Sequence, residues 1–229
     1  MLHAAAPGQG PTRGSGAFVV KIGPDYRVSH TLPGGEVVTL RPIQPDDRGA
    51  LHDAFMRLSP ESRYRRFFAP ITDLTDEKLT YLCCVDGIDH FALVATTVTP
   101  DLKSELGVGV ARFVRSSRDP GAAEAAVTVV DDMQHRGIGK LLMLTLVEAA
   151  LERGIRRLTG EVLATNEPVL EALRASGAKL ESLEEGTVRF EVPLGAGKEP
   201  LLLHLLREAA RSIPGFLLRL YPASSRHEG

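Results

Sequence analysis

The run Val127-Thr128-Val129-Val130-Asp131-Asp132-Met133-Gln134-His135-Arg136-Gly137-Ile138-Gly139-Lys140 decides how this chain folds. Its first four residues read as a buried strand, Gln134 to Gly139 as a turn with two glycines, and residues 140–153 as a helix. The helix is read from Leu141, Leu142, Thr145, Leu146, Ala149 and Ala150, which recur at helical spacing. Residues 158–162 are strand-like again. A strand, a turn, a helix and a second strand in that order imply two parallel strands joined by a right-handed crossover.

Three phosphate-binding readings compete for the turn. A Walker loop requires glycine at 134 and Ser or Thr at 141, where Gln134 and Leu141 stand. A dinucleotide fingerprint on Gly137 and Gly139 requires a small residue at 142, where Leu142 stands, although Glu161 falls where a ribose-binding acid would. In the third reading, backbone N–H groups from Gln134 through Lys140 wrap a pyrophosphate on the positive end of the helix. Glycine is needed there so that the backbone can approach the anion, and Arg136 and Lys140 add charge at the rim. A plain tight turn into the helix needs only one of the two glycines.

Outward from this unit, residues 90–98, 105–115 and 123–130 are rich in Val, Ala and Thr and read as successive antiparallel strands. Ahead of them come a strand at 37–41 and a helix from Pro45 to about Leu58. A second helix at 61–67 carries Arg63, Arg65 and Arg66, and a third starts at Thr75. After the crossover come a helix at 167–176 and a closing hairpin of 179–183 with 187–192. The class is α+β: a twisted, mostly antiparallel sheet with one parallel pair and helices on both faces. Residues 1–16 read as a flexible leader, 17–36 as a short hairpin of strands 18–22 and 26–31, 37–196 as the main domain and 197–229 as a helical tail. The tail's apolar stripe, Leu201, Leu202, Leu205, Leu206 and Ala209, suits packing onto the domain, homodimer formation, or a basic amphipathic helix for a membrane surface or partner.

Composition removes several classes. A net charge of -2 lacks the basic footprint of a nucleic-acid-binding domain. No stretch of ~20 apolar residues is present, so no transmembrane segment is expected. The cysteines are the neighbours Cys83 and Cys84, a poor geometry for a mutual disulfide, and the histidines show no zinc-ligand spacing. No signal peptide is read at the N-terminus. A cytoplasmic protein without a metal is expected.

At Gln134-His135-Arg136-Gly137-Ile138-Gly139 the chain resembles the GNAT acyl-CoA N-acyltransferases, whose acyl-CoA motif reads Gln/Arg-x-x-Gly-x-Gly/Ala between a strand and a helix. The resemblance covers roughly residues 37–194, including Thr39-Leu40-Arg41-Pro42 and Asn166. Two further runs, Ala123-Glu124-Ala125-Ala126-Val127 and Ser59-Pro60-Glu61-Ser62-Arg63-Tyr64-Arg65-Arg66-Phe67-Phe68, look like those of Pat-type protein lysine acetyltransferases, which modify acyl-CoA synthetases.

The resemblance implies a GNAT fold with acetyl-CoA as cosubstrate and no metal. Acetyl transfer would go to an amine, most readily a lysine of an acyl-CoA synthetase. The alternatives are a small-molecule amine acceptor or a non-catalytic acyl-CoA-binding sensor. A free lysine of pKa ~10.4 is less than about one part in a thousand neutral at pH 7, so a base is required. By resemblance that base is Glu124, acting directly or through water. The backbone N–H of Val129 is implied to hold the oxyanion, with the pantetheine arm along Val129, Val130 and Asp131. The pyrophosphate is implied on Gln134, His135, Arg136, Gly137, Ile138, Gly139 and Lys140, and the arm on Asn166, unless Asn166 only caps the helix after it. Many relatives carry a general-acid tyrosine in that helix; residues 167–178 contain no aromatic residue.

Overall fold

The computed structural model describes residues 21–98, 101, 104–183 and 186–194. Strand β1 (Val28–Thr31) turns into β2 (Val37–Pro42) through Pro33, Gly34 and Gly35. Gly35 there adopts φ +87°, and the Leu32 N–H bonds the Glu36 carbonyl at 2.8 Å. β1 pairs with β2 across this turn; of the strand expected at 18–22, Lys21 and Ile22 form bends and 18–20 lie outside the described residues. The expected leader at 1–16 and tail at 197–229 lie outside them too.

A 3-10 turn at Pro45–Asp47 leads into α1 (Arg48–Met56). The helix stops before Leu58 because Pro60 forces Ser59 into extended backbone, ψ 158°. Ser59 then caps α2 (Pro60–Phe67), its hydroxyl accepting from the Ser62 N–H at 3.1 Å. Thr75 caps α3 (Asp76–Cys83) in the same way, at 3.3 Å. Next come β3 (His90–Val98), β4 (Glu105–Arg115), β5 (Ala122–Val129), α4 (Ile138–Glu152), β6 (Arg157–Leu163), α5 (Glu167–Ala175), β7 (Lys179–Ser182) and β8 (Thr187–Pro193).

Among the described residues, eight strands join one sheet in the order β1-β2-β3-β4-β5-β6-β8-β7. Every pairing is antiparallel except β5 with β6. Strand periodicity then sorts side chains to two faces. Ala123, Ala125, Val127 and Val129 of β5 face α4, whose Leu142 reaches Gly109 so closely that a Cβ there would lie 3.0 Å from it. Glu124, Ala126 and Thr128 face the opposite way. There Leu51, Ala54 and Phe55 of α1, Arg66 and Phe67 of α2 and Leu82 of α3 close over β4 and β5. Among the described residues, no helix is long and apolar enough to cross a membrane.

Candidate active site

β5 and β6 run together only at Ala122↔Arg157, Ala123↔Leu158 and Glu124↔Thr159. A Cβ on Gly160 would lie 3.2 Å from the Ala125 carbonyl and 2.6 Å from the buried Phe190 ring, so β6 still touches β5 at Ala125. Beyond it, β5 pairs with β4 alone. The ladder fixes where the freed edge points. Val129 and Gly109 face each other without exchanging bonds, because the next donor, the Val130 N–H, reaches the Val108 carbonyl at 3.0 Å. By alternation, the N–H and C=O groups of Val127 and Val129 point away from β4, into the opening that β6 has left. Spacing along the chain does not single out Val127 as a donor, since only pairing reveals which amides face an edge.

The strand ends in a 3-10 turn at Asp131–Met133, followed by the glycine turn. His135 has φ 62° and Gly137, at the N-cap of α4, has φ 89° and ψ 0°. A Cβ on Gly137 would meet nothing within 4 Å, so glycine serves conformation there, not clearance. No side chain caps α4, and the first amides, of Ile138, Gly139 and Lys140, emerge at an end that carries partial positive charge. Arg136 is already engaged: it ion-pairs with Glu36 and donates to the Asp132 carbonyl at 3.1 Å. Lys140 is half-buried in the first turn.

Gln134 has a second task. Its amide nitrogen donates to the Val129 carbonyl at 3.1 Å and to Asp131 at 2.8 Å. Asp131 in turn accepts from the Ser62 hydroxyl at 2.5 Å and from the Ser59 N–H. Arg57 bonds both oxygens of Asp132, at 2.9 and 2.7 Å, and the Gly107 carbonyl at 3.0 Å. The turn is thereby tied to the α1–α2 junction, which lies some seventy residues earlier. Asn166 is buried at the N-cap of α5, yet its side chain gives that helix no capping bond. The capping alternative therefore does not account for it.

Glu124 is half-buried on the face opposite α4. Its row across the sheet runs His90, Val114, Glu124, Thr159. Arg112, one row along beside Ala126, is 1% exposed, and no described carboxylate contacts its guanidinium. Its two terminal nitrogens bond His90 Nε2 and the Leu82 carbonyl, both at 3.1 Å. Burial lowers its pKa to about 10, so it stays charged at neutral pH.

Burial, then the Arg112 charge, lower His90 from 6.5 to about 4, against a smaller opposing effect of Asp86. Unfolded, His90 titrates near 6.5, so above that pH neither state holds the proton and the group is neutral for stability. As pH falls from 6.5 towards 4 the unfolded chain binds a proton that the folded chain refuses, and stability is lost across that window. His90→Gln is expected to flatten the acid limb of a urea-midpoint curve between those values, while the carboxylate limb below it persists.

The acetyltransferase (GNAT) family profile matches residues 50–178. The acetyltransferase Pat of Mycolicibacterium smegmatis is 35% identical over 185 residues, 78% of this chain and 54% of that protein. The chain thus spans about half the length of that relative. The acetyltransferase PA5475 of Pseudomonas aeruginosa is 31% identical over 163 residues, 71% of this chain and 85% of that one. Among solved structures, the GNAT domain of S. lividans PAT superposes with a TM-score of 0.65 at 30% identity, covering 73% of this chain and 97% of that domain.

Proposed function

The chain belongs to the acetyltransferase (GNAT) family, and from that premise we propose that it moves an acetyl group from acetyl-CoA to a lysine side chain of a protein, with Glu124 as general base. The observation that carries the reading is continuous: β5 parts from β6 just beyond Glu124, its freed edge offers amides at Val127 and Val129, and that edge leads into the uncapped, glycine-bearing start of α4. A pantetheine arm is an extended chain of amides, which an open strand edge recognises as it would an added strand. The pyrophosphate beyond it suits the helix N-terminus.

Distance refines the oxyanion donor. At ~3.4 Å per residue, Val129 lies ~17 Å along β5 from Glu124 and Val127 ~10 Å. The second span suits a carboxylate that deprotonates the attacking amine through a water, so the Val127 N–H serves the acyl carbonyl and Val129 the arm. Neutral amine nitrogen attacks the thioester carbon, the tetrahedral oxygen is held by that amide, the ammonium nitrogen so formed gives up its second proton to solvent, and collapse expels the CoA thiolate. The proton taken by Glu124 leaves to solvent. With no tyrosine in residues 167–178, the thiolate departs without a named acid, as its low basicity permits.

The lysine acceptor rests on likeness to Pat-named relatives, and an acyl-CoA synthetase is the target class to try. Calorimetric titration with acetyl-CoA, followed by incubation with a panel of such synthetases and mass spectrometry for acetyl-lysine, tests it. Binding and a modified lysine are expected. Binding with no modified protein would move the acceptor to a small amine or leave a CoA-binding sensor, and absence of binding would refute the acyl-CoA reading.

A further inference from the structure

Beneath α1, α2 and α3, on the face that carries Glu124, lies a cavity of about 40 Å³. Most of its wall is apolar, Phe55, Leu58 and Val130 among it, but Arg66, Arg112 and Thr128 also line it, and no carboxylate does. Arg112 and Thr128 are 1% and 6% exposed. The Arg112 Nε and the Thr128 hydroxyl are both buried without a hydrogen-bond partner. They stand on adjacent strands, on one face and at diagonal register, since Arg112 faces Ala126 and Val110 faces Thr128. Both residues line the same cavity. Burying a cation away from water without a counter-charge is costly, and so is burying a hydroxyl without a partner; an anionic oxygen between them offsets both.

The position of the cavity says how such a group arrives. Thr128 lies between Val127 and Val129, whose edge amides were assigned above to the acyl-CoA. A chain leaving the acyl carbonyl over the Glu124 face meets Thr128 first and Arg112 behind it. The volume exceeds the ~10–15 Å³ that a single water requires, so a small polar group has room there.

We propose that this cavity is an acyl-end pocket that receives the carboxylate of a short dicarboxylic acyl group carried on CoA, bound by Arg112 Nε and the Thr128 hydroxyl. The proposal rests on the acyl-CoA reading of the same edge, and goes beyond it by naming a class of acyl donor other than acetyl.

Titration calorimetry of the full chain with acetyl-CoA, butyryl-CoA and succinyl-CoA separates the two. Succinyl and butyryl have the same carbon count and differ in the terminal carboxylate. Succinyl-CoA is expected to bind at least about tenfold more tightly than butyryl-CoA, in the range of a charge-assisted hydrogen bond. Thr128→Val is expected to reduce that advantage several-fold and Arg112→Met to abolish it; if Arg112→Met does not fold by circular dichroism, the wild type and Thr128→Val decide. Free succinate is expected to give no heat. Acetyl-CoA binding without preference for succinyl over butyryl overturns the pocket and leaves the acetyl reading standing. A preference that survives Thr128→Val unchanged, or succinate binding alone, overturns the pocket as well. Failure of every thioester to bind refutes the acyl-CoA reading first and the pocket with it.

Discussion

Glu124→Gln is expected to lower kcat by about 10²–10⁴-fold while leaving the affinity for acetyl-CoA unchanged. Gln keeps the size and hydrogen-bonding reach of Glu but cannot take a proton, so the substitution isolates the proposed base function. The position favours this separation. Glu124 stands in the last pair that β5 makes with β6, on the sheet face opposite α4, whereas the edge amides and the glycine turn lie further along the chain. Steady-state rates on the acetylated target and calorimetry with acetyl-CoA, made on the same preparation, check both halves. The rate deficit should narrow at high pH, where a lysine acceptor of pKa ~10.4 supplies its own neutral form. Unchanged kcat at pH 7 removes Glu124 from the mechanism.

Gly137→Val is expected to weaken acetyl-CoA binding by about 10–100-fold. The residue sits at φ 89°, a region that costs a residue with a Cβ roughly 1–3 kcal/mol and is worst for a β-branched one. Open space surrounds the position that a Cβ would take, so the substituent displaces nothing. The strain is relieved only by turning the peptide groups at the start of α4, and those carry the amides proposed to hold the pyrophosphate. Gly137→Asn is the control, because Asn enters this region more readily. It should lose distinctly less affinity than the valine variant, with circular dichroism spectra of both close to the wild type. Equal affinity for all three would detach the turn from the cofactor.

How much of this site is legible in the sequence depends on the reach of each interaction. The turn from Gln134 to Gly139, the helix after it and the strands at 90–98 and 105–115 are written in local spacing, and the structure draws the latter two strands with the same bounds. The partner of the strand expected at 26–31 is not written in the sequence, because two short apolar runs beside a turn signal do not say which strand each will pair with; β1 pairs with β2. Asp131 reads as one residue on the path of the cofactor arm. Its carboxylate in fact holds Ser59, Ser62 and Gln134 together, a role for which no spacing rule exists across seventy positions. Arg112 gives no signal within a β-strand pattern, and its burial against His90 and Leu82 follows from packing of α3 on the sheet.

By itself, then, the sequence determined the α+β class, the single parallel crossover and the glycine-bearing start of α4, since alternation, helical periodicity and positive-φ turns act over a few residues. The tertiary structure alone decided where β5 leaves β6, which amides the departure exposes, what braces the turn from the α1–α2 junction, and that two buried donors share one cavity. Each of these is a relation between segments distant in the chain, set by ladder register and by which side chains meet when the layers close, and neither quantity is encoded in any one stretch of residues.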